Sequence, residues 1–212
     1  MKDLIDEVEA AVRSVGTATL PAGDAHVVTI TRVYPADIDD VWDALTNPER
    51  IPRWFLPVSG DLREGGNFQL EGHAGGDIRV CDAPNRLQVT WVSPGQAAGP
   101  DDDSIVEVRL ASAGEDSTTL VLEHTAVVPT EFWDGYGPGA VGVGWDLALI
   151  GLTAHVSGED LDPTTLETDP AMHAGLTASS QAWGVAYQAS GADPDTAARV
   201  TEATTAFYVP EP

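Results

Sequence analysis

Val28-Thr29-Ile30-Thr31-Arg32-Val33-Tyr34-Pro35-Ala36-Asp37-Ile38-Asp39-Asp40-Val41-Trp42-Asp43-Ala44-Leu45-Thr46-Asn47-Pro48-Glu49-Arg50-Ile51-Pro52-Arg53-Trp54-Phe55 changes its hydrophobic period half-way along. Up to Tyr34 the residues alternate and are rich in β-branched side chains, which predicts a strand. Pro35 ends it, because proline brings no N–H to a ladder. Asp37 suits an N-cap, and Ile38, Val41, Trp42 and Leu45 then share one helical face. Asn47-Pro48 predicts a second, shorter helix, with proline at its first position and Pro52 as its stop.

Upstream, Lys2 to Ser14 reads as an amphipathic helix ended by Gly16, with Leu4, Ile5, Val8, Ala11, Val12 and Val15 on its apolar side. Gly16–Leu20 and His26–Tyr34 then form a hairpin about Pro21-Ala22-Gly23-Asp24. Downstream, strands are expected at Pro57–Leu62, Asn67–Gly72, Asp77–Cys81, Arg86–Ser93, Ser104–Ala111 and Thr118–Val128, with an irregular loop from Pro129 to Tyr136. Short connections favour one antiparallel meander. Period-two parity puts Leu87, Val89 and Trp91 on one face, with Val106, Val108 and Leu110 and with Leu120, Leu122 and His124. Gln88, Thr90, Glu107, Arg109 and Glu123 take the opposite, wet face, and Glu71 and Arg79 are also assigned to the surface.

The apolar face needs a cover. Ala140–Ser157 supplies one, with Val141, Trp145, Leu149, Leu152 and Val156 at helical spacing. Gly142, Gly144 and Gly151 cost that helix about 1 kcal/mol each relative to alanine, so they imply close approach or open space. A polar linker, Ser157–Thr168, leads to two further helices, Pro170–Ala189 and one starting at Asp193-Pro194 that reaches Phe207-Tyr208.

These pieces, in this order, resemble the SRPBCC (START-like) superfamily, and most closely the family named after the activator of heat-shock protein 90 ATPase. The resemblance rests on Thr31-Arg32, Pro35-Ala36, Val41-Trp42-Asp43-Ala44-Leu45-Thr46, Asn47-Pro48-Glu49 and Trp54. It continues through Gly65-Gly66-Asn67-Phe68, Pro84-Asn85-Arg86-Leu87, Thr90-Trp91, His124 and Gly144-Trp145. It spans roughly Ala25 to Ser157. It implies an α+β helix-grip fold, an antiparallel sheet wrapped around the long helix with a cavity between them. The N-terminal helix and hairpin (1–24) would belong to a domain of residues 1–157, and 158–212 would be a C-terminal helical extension.

The formal net charge is −24, with one lysine, Lys2, among ten basic residues. Such a surface repels nucleic acid and anionic membranes. Neither a signal peptide nor a span of membrane length is expected, and the reading is an acidic cytoplasmic protein. Cys81 is the sole cysteine, so a disulfide framework is excluded. The five histidines lack metal-ligand spacing, and no metal or cofactor is expected. Gly137-Pro138-Gly139-Ala140-Val141-Gly142 spells G-x-G-x-x-G, but the dinucleotide fingerprint needs a strand directly before it in a parallel unit.

The candidate site is the space between sheet and helix, lined by Trp54, Phe55, Phe68, Trp91, His124 and Trp145. The expected partner is a small hydrophobic molecule. His124 is either a core histidine satisfied by neighbouring groups or the polar anchor of a ligand. No catalytic set is legible. The resemblance implies two alternatives, an enzyme of the polyketide cyclase or dehydratase kind and an interaction protein acting on a chaperone ATPase. A homodimer through the C-terminal helices is a further option.

Overall fold

A computed structural model describes residues 4–94, 104–159 and 170–210. Eight strands form one sheet: β1 (Val12–Leu20), β2 (Gly23–Tyr34), β3 (Val58–Asp61), β4 (Asn67–Leu70), β5 (Gly75–Asp82), β6 (Arg86–Thr90), β7 (Ser104–Gly114) and β8 (Ser117–Ala126). Their order is β1-β2-β8-β7-β6-β5-β4-β3, and every neighbouring pair is antiparallel. Apart from β2 beside β8, neighbours in space are neighbours in sequence, as hairpin-length connections demand. The helices are α1 (Leu4–Glu9), α2 (Ile38–Thr46), α3 (Thr130–Tyr136), α4 (Gly139–Val156), α5 (Pro170–Ala189) and α6 (Pro194–Tyr208). The helix-grip architecture holds, with α4 laid along the apolar face of the sheet.

The opening stretch folds largely as its pattern dictates. β2 ends at Tyr34, and Asp37 caps α2 by accepting the Asp40 N–H at 2.8 Å. Val41 and Ala44 are wholly buried. The second helix expected after Asn47 is reduced to a turn and one 3-10 turn, Ile51–Arg53. Asn47 Oδ1 accepts the Glu49 N–H, and Pro52 lies inside that turn instead of stopping a helix.

The N-terminal expectation needs a larger correction. The helix stops at Glu9, and Val12 begins a strand that pairs residue by residue with β2, from Val12 opposite Thr31 to Leu20 opposite Gly23. Val12, Val15, Thr17 and Thr19 suit a pleated surface better than a helix, and a nine-residue ladder outweighs local amphipathicity. Pro129–Tyr136 is likewise not an irregular loop, since most of it is α3, which buries Trp133. The linker expected at Ser157–Thr168 lies mostly outside the described residues.

α4 is apolar on all sides, long enough and apolar enough by composition alone to span a membrane. Its burial on two sides accounts for this. Leu149 and Leu152 join the core beneath the sheet, and the opposite side is covered by α5 and α6. A Cβ on Gly142 would lie 2.1 Å from Cε2 of Trp183 in α5. One on Gly139 would meet Thr204, and one on Gly137, at φ +61°, would meet Val200, both in α6. The glycines that spell a nucleotide fingerprint are therefore seats for the C-terminal helices.

Glu107 corrects another expectation. It points to the outer face but is buried, clamped by Arg86 at 2.7 Å and by Arg109, with Gln88 donating at 2.7 Å. Burial pushes its carboxyl up, but the hydrogen bonds from Arg86 and Arg109 together hold it below the ordinary carboxylate range.

Candidate functional site: an apolar cavity between sheet and long helix

A cavity of about 140 Å³ lies between the sheet and α4. Five of the six residues proposed from the sequence line it: Trp54, Phe55, Phe68, Trp91 and Trp145. Trp91 and Trp145 meet with ring centroids 4.8 Å apart, and Phe68 lies 5.9 Å from Trp91. Aliphatic side chains of β6, β7 and β8, with Leu149 of α4, complete the wall.

Trp54 and Phe55 reach the cavity because the segment after α2 is pinned at both ends. Arg50 donates to Asp40 at 2.7 Å and Asp43 at 2.9 Å, and its Nε lies 3.1 Å from His155 Nε2 near the end of α4. Beyond it, the Trp54 carbonyl rests where a Cβ on Gly151 would be, 2.6 Å away. Only glycine lets the backbone come that close. At the rim, exposed His73 stands edge-on to Phe55 and to Trp91, at 6.2 and 6.0 Å.

Cys81 also lines the cavity, which parity could not foretell. The register of β5 against β6 shifts between Ile78 and Val80, and this bulge lets both Ile78 and Cys81 face inward. Burial pushes the thiol up, and Glu64 and Asp82 push it further, so it stays protonated and poorly nucleophilic at neutral pH.

The polar groups around the cavity are spent on the protein. Trp54 Nε1 donates to the Ala44 carbonyl at 3.0 Å, and Thr46 Oγ1 to the Trp42 carbonyl at 2.8 Å. Trp145 Nε1 donates to His124 Nδ1 at 3.0 Å, while His124 Nε2 lies 2.8 Å from Ser104 Oγ. An indole N–H only donates, so Nδ1 must accept, and the neutral ring then carries its hydrogen on Nε2. Desolvation holds the ring neutral, pushing its pKa down to about 4. His124 is outside the cavity wall itself, edge-on to Trp91 and Trp145 at 6.3 and 5.9 Å. The Ser104–His124 pair looks like a hydrolytic dyad but runs the wrong way. Nε2 donates to the hydroxyl, whereas a general base would accept from it.

A second polar cluster escaped the sequence reading. Wholly buried Asp146 of α4 accepts from Arg13 Nε and Nη2, both at 2.9 Å, from Ser179 Oγ at 2.5 Å and from Trp183 Nε1 at 3.0 Å. It ties β1 and α5 to the back of α4. Its signal was present: Asp146 is the one acidic residue in the apolar run Ala140–Ser157, and a charge there needs a partner. Among the described residues no three His, Cys, Asp or Glu side chains converge as metal ligands would.

Comparison with known proteins agrees with this architecture. CalU16 from Micromonospora echinospora is 40% identical over 84% of this chain and 98% of its own in a crystal structure, with a TM-score of 0.66. Its solution structure gives 39% identity over 86% and 97%, with a TM-score of 0.69. An Hsp90 activator from Plasmodium falciparum shares the fold at 21% identity, covering 62% of this chain and 96% of its own, with a TM-score of 0.53. DynU16, a protein of the dynemicin biosynthetic locus, does so at 22%, over 63% of this chain and 48% of its own, with a TM-score of 0.52. No curated protein matches. The family described as activator of Hsp90 ATPase homolog 1-like protein matches residues 35–157, more than half the chain and the stretch that builds β3–β8, α2 and α4. The chain belongs to the activator of Hsp90 ATPase homolog 1-like family.

Proposed function

We propose that the protein binds a small, neutral, apolar molecule in the cavity between sheet and α4, and catalyses no reaction there. The observation that carries this reading is the cavity itself, about 140 Å³ faced by Trp91, Trp145 and Phe68. A void of that size forfeits roughly 3 kcal/mol, at about 24 cal/mol per Å³. An apolar cavity of about 150 Å³ stays dry and takes up benzene, so the space suits one aromatic ring or a similar hydrocarbon group. The protonated Cys81 thiol and the reversed Ser104–His124 pair speak against nucleophilic catalysis. The chaperone reading draws on the family's description and on a likeness of fold to one Hsp90 activator at 21% identity, and no feature of the cavity supports it. A net charge of −24 favours a cytoplasmic role away from nucleic acids and anionic membranes.

The test is titration with toluene, a single neutral ring that fits the space, followed by tryptophan fluorescence and by the shift in melting temperature. Binding that is lost in Val108→Leu, whose added methylene enters the cavity, supports the proposal. Unchanged affinity in that variant places the probe elsewhere, and absence of binding up to the probe's solubility ends the proposal.

A further inference from the structure

Among the described residues the side chains of the cavity wall are all uncharged, and Thr46 carries the one side-chain oxygen. The other polar atoms are the Cys81 thiol, a weak partner, and the indole nitrogens of Trp54, Trp91 and Trp145, which only donate. Thr46 is half-buried and is the last residue of α2. Its hydroxyl gives its hydrogen back to the Trp42 carbonyl, four residues earlier, at 2.8 Å. That hydrogen is spent, but the oxygen is not: no described N–H or O–H donates to it. Towards a ligand, Thr46 Oγ1 is therefore an acceptor with no hydrogen to offer.

A ligand hydroxyl that enters a wall of aliphatic and aromatic carbon leaves water behind and needs an acceptor in exchange. The neighbouring Ala44 carbonyl is taken by Trp54 Nε1 at 3.0 Å. Thr46 Oγ1 is the strong side-chain acceptor left in the wall, and it sits at a helix C-terminus, whose partial negative charge favours an incoming donor. A carboxylate or phosphate would find no counter-charge in this wall, in a chain of net charge −24.

We infer that Thr46 Oγ1 is the polar contact of this cavity, acting as an acceptor, and that the ligand is a neutral aromatic ring bearing a hydroxyl, a phenol-type molecule. The inference rests on the cavity-binding reading above. The ring fills the space between sheet and α4, and its O–H donates to Thr46 at the α2 side of the wall. The Trp42 carbonyl holds the threonine hydrogen and so leaves the oxygen free to accept.

Toluene, phenol and anisole test this. Toluene and phenol share a shape and differ by a hydroxyl in place of a methyl, and anisole keeps the oxygen without the hydrogen. Each is titrated by calorimetry against the wild type, Thr46→Val and Thr46→Ser, with melting curves to establish that each variant folds. Valine keeps the branched shape and removes the oxygen; Thr46→Ala gives the same comparison where the valine variant does not fold. Thr46→Val is expected to weaken phenol roughly five- to tenfold and to leave toluene and anisole unchanged. Thr46→Ser, which keeps the hydroxyl, should retain phenol. Equal effects on all three probes, no effect on phenol, or a loss of anisole to match that of phenol overturns the assignment of Thr46 and leaves cavity binding standing. A wild type that takes toluene and refuses phenol does the same. Failure of all three probes to bind the wild type overturns the cavity reading and this inference together.

Discussion

Asp146→Ala removes the acceptor on which three side chains, Arg13, Ser179 and Trp183, converge. Its carboxylate is wholly buried, and the Arg13 side chain paired with it is only 5% exposed. After the substitution Arg13 keeps the Ala11 and Val8 carbonyls at 3.1 and 2.8 Å but has no counter-charge. Ser179 and Trp183 each lose an acceptor at the same time. A buried ion stripped of its partner costs about 3–5 kcal/mol. For a chain of this size each kcal/mol lowers Tm by about 2–4 °C, so the expected fall is roughly 6–20 °C. Urea denaturation followed by tryptophan fluorescence and far-ultraviolet dichroism measures it. Asp146→Asn should lose nearly as much, because its amide turns a donor towards a ring of donors. The double variant Arg13→Met/Asp146→Leu should recover most of the loss, since apolar residues of similar volume replace a buried pair at little cost. A loss below about 1 kcal/mol in Asp146→Ala, or a double variant no more stable than the single one, refutes the view that this carboxylate anchors α5 and β1 to α4.

Three further outcomes follow from the packing and the charge. Burial holds His124 near 4 while an unfolded histidine titrates near 6.5, so its neutral ring adds stability above pH ~6.5 that is lost as pH falls through ~4; the stability gap between wild type and His124→Phe should change over that window, and parallel curves would show that the ring does not titrate as proposed. Gly142→Ala should destabilise by about 1–3 kcal/mol through collision with Trp183, while Gly144→Ala, whose Cβ would lie 3.5 Å from the Tyr208 hydroxyl, should gain up to about 1 kcal/mol from helix propensity; denaturant melts of the pair decide it, and a stabilised Gly142→Ala would be inconsistent with close packing of α5. At a net charge of −24 the folded chain repels itself, so Tm should rise as sodium chloride shortens the Debye length to about 10 Å at 0.1 M, and a flat salt profile would count against net repulsion.

Much of this protein was legible one residue at a time. The parity of Leu87, Val89 and Trp91, of Val106 and Val108 and of Leu120 and Leu122 needed only the fact that successive strand residues face opposite ways. The Asp37 cap, the Pro35 stop and the helical spacing from Val141 to Val156 are equally local. The aromatic wall of the cavity followed, because Phe68, Trp91 and Trp145 belong to such patterns.

What stayed hidden depends on partners distant in sequence. Val12–Val15 has both helical and extended patterns, and only the ladder with β2 chose between them. One bulge in β5 turned Cys81 inward, and no composition rule marks where a register slips. Gly137, Gly139 and Gly142 have a meaning only once Val200, Thr204 and Trp183 lie against them. Ser104 reaches His124 because β7 and β8 pair with Val106 opposite His124, which sets Ser104 diagonally beside the ring. Which nitrogen carries the hydrogen was then decided by an indole on a different element. Local periodicity fixes which way a side chain faces, whereas register and the crossing of separate elements decide what it meets.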